Sequence, residues 1–239
     1  MIEKVAGEPL DVFVQKRVFA PLQMHDTFFR PDPALRTRIA PTQDFSRRGY
    51  PLRGEVHDET AFVLGGMAGH AGLFSTVADL AVFAQMMLNR GELNGKRIIA
   101  DSTVRLFTTP VAHFRALGWE TANKIHGAGE LLSDRAYGHT GYTGTSMWID
   151  PERDIFIVIL TNRTYAPHTR HPADAIADVR NDIADVTTLS ITADRQMMAR
   201  AMPVAFRSDT ATTWNLVRRP VWREVAEKRA QGLTVSSRR

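Results

Sequence analysis

The sequence predicts an α+β or mixed α/β layer fold, on three observations. Amphipathic helical segments alternate with irregular stretches through about residue 110. Two strand-like runs, Thr145–Ile149 and Ile155–Thr161, are joined by the turn residues Asp150-Pro151-Glu152-Arg153-Asp154. A further amphipathic helix, marked by Ile176, Val179, Ile183 and Val186, follows that hairpin.

The elements follow in chain order. Residues 1–6 are helix-like and Gly7 stops them. Pro9 suits the first turn of a second helix with Leu10, Phe13, Val14 and Val18 on one face, which Pro21 is expected to end. Residues 30–60 are broken by Pro31, Pro33, Pro41, Gly49, Pro51 and Gly54 and read as a long irregular excursion. A glycine cluster, Gly65-Gly66-Met67-Ala68-Gly69-His70-Ala71-Gly72, precedes a helix opened by Thr76 and Asp79 at capping-box spacing. Leu80, Phe83, Ala84, Met87 and Leu88 form its apolar stripe. Asp101 or Ser102 is expected to cap a short helix that runs to about Phe107. Residues 111–137 show no clear period, residues 194–202 suit one more helix, and residues 203–239 read as an Arg-rich tail.

Composition narrows the function. The chain has 239 residues, 44% hydrophobic and 23% charged, which suffices for a buried core and excludes a disordered chain or a collagen. The longest apolar run, Ile155–Leu160, is far shorter than the roughly 18 residues of a membrane span, so no transmembrane segment is expected. The absence of cysteine excludes a disulfide scaffold, a cysteine nucleophile and thiolate metal sites. Net charge is +4 and unevenly spread: residues 190–239 carry ten Lys/Arg against four Asp/Glu, and the rest is slightly acidic. A nucleic-acid partner is therefore not expected. The opening residues MIEKVAGEPL contain no export signal, so the chain is cytoplasmic as written, but its localisation stays open.

Three constellations bear chemistry. The first is Gly138-His139-Thr140-Gly141-Tyr142-Thr143-Gly144-Thr145-Ser146, just before the hairpin. Glycines alternating with polar residues on an edge strand leave backbone N–H groups free for a ligand, as an oxyanion hole requires. A glycine-rich strand packed against a neighbouring backbone fits the same residues. The second is His57, Asp58 and Glu59 with His70, which could bind a metal or orient a loop by hydrogen bonds; the loop role is preferred and no metal is assigned. The third, His168-Thr169-Arg170-His171, reads as a solvated loop. No serine in the chain is followed by lysine three residues on; Ser102-Thr103-Val104-Arg105 comes near, but arginine stays protonated and cannot act as a base. Y-x-N, G-x-S-x-G, a P-loop and a helix-opening G-x-G-x-x-G are also missing.

Three blocks in this order resemble the serine β-lactamase-like hydrolases: class C β-lactamases, low-molecular-weight penicillin-binding proteins and related esterases. They are Val5–Phe29, Gly54–Leu88 and Gly138–Arg163, and the resemblance covers about residues 1–188. It implies a three-layer fold, an antiparallel sheet with helices on both faces, incomplete at the N-terminus. Residues 1–188 would be its C-terminal portion and residues 189–239 a basic extension. The family uses S-x-x-K, Y-x-N and K-T-G or H-T-G; of these the chain carries only His139-Thr140-Gly141. By resemblance, His139 and Thr140 contact the substrate and the Tyr142 N–H is one oxyanion donor, with His57, Asp58, His70 and Thr143 at the substrate-binding edge. The nucleophile's own N–H, the other donor, is absent from this chain.

The implied function is acyl-serine hydrolysis of an ester, amide or β-lactam, without a cofactor, by a chain inactive alone; the alternative is a non-catalytic protein that binds peptidoglycan-like or peptide ligands. Histidine in place of lysine removes a fixed cation at neutral pH and favours an esterase or peptidase over a β-lactamase. The resemblance also implies that S-x-x-K, Y-x-N and two sheet strands belong before Met1, on an upstream polypeptide that completes the fold. Three sheet strands would remain. Phe83, Met87 and the 155–160 strand would be exposed, and folding alone would be marginal.

Overall fold

The computed structural model describes residues 1–44, 46–122, 127–165 and 172–192. The 168–171 motif, the 194–202 segment and the Arg-rich tail lie outside the described residues.

Helix α1 (Ile2–Ala6) ends at Gly7. One helical run then comprises α2 (Leu10–Val14), a π turn over Gln15–Phe19 and α3 (Ala20–Leu22). Pro21 lies inside this run instead of ending it. The ring has no N–H for the carbonyl four residues back, and the ladder widens into the π turn just before it. Strand β1 (Phe28–Phe29) and a 3-10 turn at Pro33–Arg38 lead into the irregular excursion, where Gln43 and Leu52 form an isolated bridge. Helix α4 (Glu59–Val63) is capped by the Asp58 carboxylate, which accepts the Ala61 N–H at 2.8 Å. Strand β2 (Leu73–Phe74) pairs with β1.

Helix α5 (Val77–Leu88) starts at Thr76, whose hydroxyl accepts the Asp79 N–H at 3.2 Å. The Asp79 carboxylate accepts instead from the Asp26 N–H at 2.8 Å and the Thr27 hydroxyl at 2.7 Å, tying the helix start to a distant turn. A small hairpin, β3 (Glu92–Leu93) and β4 (Lys96–Arg97), precedes α6 (Asp101–Thr108). Ala100 stands at the N-cap of α6 with no side-chain cap. Asp101 is already helical and pairs with Arg105 at 2.5 Å, so neither expected residue caps it.

The main sheet is antiparallel in the order β5 (Glu120–Thr121), β6 (Tyr137–Thr140), β7 (Ser146–Asp150) and β8 (Ile155–Ile159). It has one strand more than expected. Two residues are too short to set an alternation, so β5 leaves no period in the sequence. The other three strands match the expected hairpin and glycine-rich strand to within two residues. Among the described residues, β8 pairs only with β7.

Alternation divides the sheet into two faces. Tyr137, Met147, Ile149 and Phe156 pack with Phe19, Leu22, Met24 and α5 residues Ala84, Met86 and Met87. Ile157 and Ile159 pack on the opposite face against Ala184 of α7 (Pro172–Thr192). Helices thus lie on both faces, as the three-layer expectation requires. Trp148 is the largest fully buried side chain, and burying it and Ile149 contributes about 2–3 kcal/mol each. It is opposite Gly138, where an added Cβ would come within 2.6 Å of the indole.

Two exposure expectations are corrected. Because α5 packs across one face of β7 and β8, Met87 is buried and Phe83 is half-buried; Ile155, Ile157 and Ile159 are buried on the other face, where Ile157 and Ile159 meet α7. The face of α7 also differs from the expected stripe. Ile176, Arg180, Asn181, Ala184, Asp185 and Thr188 are buried, whereas Ile183 is exposed. Polar residues take the inner face because the backbone they meet offers hydrogen-bond partners. Asn181 Oδ1 accepts the Gly129 N–H at 2.9 Å, and Asp185 Oδ1 accepts those of Glu130 and Leu131 at 2.6 and 3.0 Å.

Candidate functional site

The end of β6 and the turn after it form a densely hydrogen-bonded polar surface. Gly141 O accepts the Gly144 N–H at 3.1 Å, closing a β-turn with Tyr142 and Thr143 at its centre. Gly144 has φ +123°, and a Cβ there would overlap the Thr161 hydroxyl, so glycine is required. Every carbonyl from Gly141 to Thr145 has a donor. Tyr142 O accepts from Arg163 Nε, and Thr143 O accepts the Arg163 N–H at 2.8 Å. Gly144 O accepts the Thr161 hydroxyl at 2.8 Å, and Thr145 O accepts the Gly141 N–H at 2.7 Å.

The remaining donors come from Arg180, buried on α7. Its Nη2 reaches Gly141 O at 2.8 Å and Thr145 O at 2.7 Å, and its Nε reaches Gly144 O at 3.3 Å. Burial, and then the nearby Arg163 charge, lower its pKa from the ordinary arginine value. Among the described residues, no acceptor takes the Tyr142 N–H.

His139 is exposed at the free end of β6. Its Nδ1 donates to Thr140 O at 2.8 Å, and its Nε2 faces Arg115 Nη1 at 3.4 Å. Because the carbonyl only accepts and the guanidinium only donates, these partners fit a neutral ring with its proton on Nδ1. Arg115 also pairs with buried Glu120 of β5 at 3.1 Å. A guanidinium therefore stands beside the His139 ring.

The expected residues from the second constellation divide. His57 reaches the turn: its ring stacks on Tyr142 at 5.5 Å with an interplanar angle of 24°, and its Nε2 meets Gln43 Oε1 at 2.9 Å. Burial, followed by the Arg48 charge, lowers the His57 pKa. The Arg163 guanidinium also lies over the Tyr142 ring, 4.3 Å from its centroid. Asp58 and His70 pair with each other at 3.0 Å and are about half exposed. The Ala61 N–H and then His70 hold the Asp58 carboxyl below its ordinary range. His57 and Asp58 are thus engaged by different partners, and no group of three or more potential metal ligands occurs among the described residues. A cavity of about 360 Å³ behind the glycine cluster, lined in part by Arg30, Glu55, Phe62 and Phe74, is separate from this turn.

Sequence reading missed Arg180, Arg163 and Arg115. The signal for Arg180 was its place between Ile176 and Ala184, four residues from each, which puts a cation in an otherwise buried helical row.

Comparison with known proteins agrees with this architecture. The family model described as Beta-lactamase matches residues 1–181, and the chain belongs to that family. An N-acetylmuramyl-L-alanine amidase of Bacillus subtilis (strain 168) is 37% identical over 186 residues, covering 70% of this chain and 42% of that protein. A protein of Escherichia coli (strain K12), provisionally named a D-alanyl-D-alanine carboxypeptidase, is 38% identical over 188 residues, covering 70% and 43%. The chain therefore spans less than half the length of these curated relatives. Among solved structures, a β-lactamase from Mycobacterium bovis matches with a TM-score of 0.52 and 24% identity over 80% of this chain and 60% of that one. Unliganded simvastatin synthase from Aspergillus terreus matches with a TM-score of 0.55 and 16% identity over 81% and 52%. These two likenesses concern the fold alone.

Proposed function

We propose that this chain supplies the substrate-binding edge of a serine hydrolase that cleaves amide bonds in cell-wall peptides. The nucleophile comes from a segment carrying S-x-x-K outside these 239 residues. The observation that carries this reading is the β-turn after H-T-G. All its carbonyls are engaged, and among the described residues the Tyr142 N–H, beside His139 and Thr140, has no acceptor. That is the backbone arrangement an oxyanion donor requires. The names of the two relatives, an amidase and a carboxypeptidase of muramyl and D-alanyl peptides, support an amide substrate.

In this mechanism the serine oxygen attacks the amide carbonyl while a base takes its proton. The carbonyl oxygen gains the negative charge and is held by the Tyr142 N–H and the nucleophile's own N–H. The amine leaves with a proton, and water then cleaves the acyl ester. His139 and Thr140 contact the substrate, with His57, Asp58, His70 and Thr143 along the binding edge. Residues 1–188 form the C-terminal portion of the catalytic domain, and residues 189–239 extend it. The outer edge of β8 receives the strands of the completing polypeptide.

The test is reconstitution. This chain is mixed with a polypeptide carrying the S-x-x-K and Y-x-N segments of a relative, and hydrolysis of a muramyl-L-alanine peptide and a D-alanyl-D-alanine peptide is followed. Each part alone is expected to be inactive, the mixture active, and Thr140→Val to lower kcat/KM at least about tenfold. A stable but inactive complex would overturn the reading. Saturable peptide binding by the isolated chain, dependent on His139 and Thr140, would then favour a non-catalytic binding protein.

A further inference from the structure

We infer that Arg180 is a positioning residue that aims the Tyr142 N–H through the carbonyl on the other side of the same peptide unit. The inference rests on the proposed oxyanion role of Tyr142. The Gly141–Tyr142 peptide is trans, like every other described peptide, so its C=O and N–H point in opposite directions. Arg180 Nη2 binds the Gly141 carbonyl from the α7 side at 2.8 Å. The Tyr142 N–H must therefore point away from α7. Fixing one end of a rigid plane fixes the other.

Two further features support a role beyond packing. Gly141 O accepts both Arg180 and the Gly144 N–H. Two donors on one carbonyl polarise the peptide and strengthen the N–H at its far end as a donor. The guanidinium is also an expensive way to fill this space. It is buried, and its hydrogen-bond partners among the described residues are three backbone carbonyls, with no carboxylate. An apolar side chain would fill the volume without that cost but would leave Gly141 O, Gly144 O and Thr145 O with one donor each, the Gly144 N–H, the Thr161 hydroxyl and the Gly141 N–H.

The same guanidinium spans the turn from Gly141 to Thr145. It therefore opposes rotation of the Gly141–Tyr142 plane at both ends of the loop. Lysine, with a single ammonium, cannot match this fork of donors.

The test uses the full chain labelled with nitrogen-15. In the native chain the Tyr142 N–H should show an order parameter of about 0.85, typical of rigid backbone. In Arg180→Met it should fall below about 0.6 while the Tyr137 and Trp148 amides keep their shifts. Arg180→Lys should fall between the two, and it carries the test if the methionine variant does not fold. An unchanged Tyr142 amide in a folded variant overturns the inference and leaves the proposed function standing.

The second readout is the reconstituted enzyme. Arg180→Lys should lower kcat about tenfold or more and leave KM within about twofold, because an oxyanion donor acts in the transition state. A loosened amide with unchanged kcat would overturn the positioning role. An inactive native pair would overturn the proposed function itself, and with it the catalytic part of this inference.

Discussion

The two sides of the candidate site are built differently. The turn at Gly141–Thr145 is held by the buried Arg180 of α7 and by half-buried Thr161 and Arg163 just after β8, with each carbonyl engaged. The 57–70 side is held by part-buried bonds such as His57–Gln43 and by exposed ones, of which the Asp58–His70 pair has both side chains about half exposed. The two meet where His57 stacks on Tyr142. Buried hydrogen bonds fix geometry because losing one leaves a desolvated group unpaired, whereas exposed pairs exchange with water at little cost. The turn suits a rigid electrostatic role, and the facing loop suits adjustable contact with a substrate.

The contrast predicts unequal consequences. The largest effect is expected at Asp150, buried at the end of β7. It accepts the Ser133 N–H at 2.7 Å and the Ser133 hydroxyl at 2.6 Å, and it pairs with Arg153 at 3.2 Å. Asp150→Ala should cost about 3–5 kcal/mol in urea unfolding, because it strands a buried partner. A cost below about 1 kcal/mol would make this region no firmer than the loop.

Alkali gives the next effect. Burial pushes the Tyr137 hydroxyl up to about 12 from 10.0. The folded state therefore holds its proton after the unfolded state has released it. Stability from this group is present below pH 10 and is lost as pH rises towards 12, by about 3 kcal/mol in all. Tyr137→Phe should flatten that part of the curve, and an unaltered slope would show that the ring is not confined as described.

Gly138→Ala should cost about 1–3 kcal/mol, because the new methyl overlaps the Trp148 indole and the Met147 carbonyl. The intrinsic tryptophan emission should shift with it. His70→Ala is expected to change stability by less than about 1 kcal/mol, as for other exposed pairs. A loss above about 2 kcal/mol would erase the contrast between the two sides.

Much of the candidate site was legible because its motif is short and local. Gly138-His139-Thr140-Gly141 announces a strand edge without knowledge of the rest of the chain. The hairpin was equally plain from the Ile155–Ile159 run and the turn residues before it. What the sequence hid depends on long-range packing. His57 reaches Tyr142 only because the irregular excursion folds back over the sheet end, where the Thr164 hydroxyl meets Thr42 O at 2.6 Å. Arg180 was obscured by reading its helix as having an apolar inner face. That face is largely polar and serves backbone groups that hydrophobic periodicity does not count. Strand β5 was too short to show any period.

The central claim is that these residues form the oxyanion edge for a serine carried elsewhere. Reading the coding DNA upstream of the Met1 codon, together with its neighbouring frames, tests it most directly. The account predicts a frame encoding Y-x-N close to Met1 and S-x-x-K further upstream. If neither the same frame nor an adjacent one encodes them, the hydrolase account is contradicted.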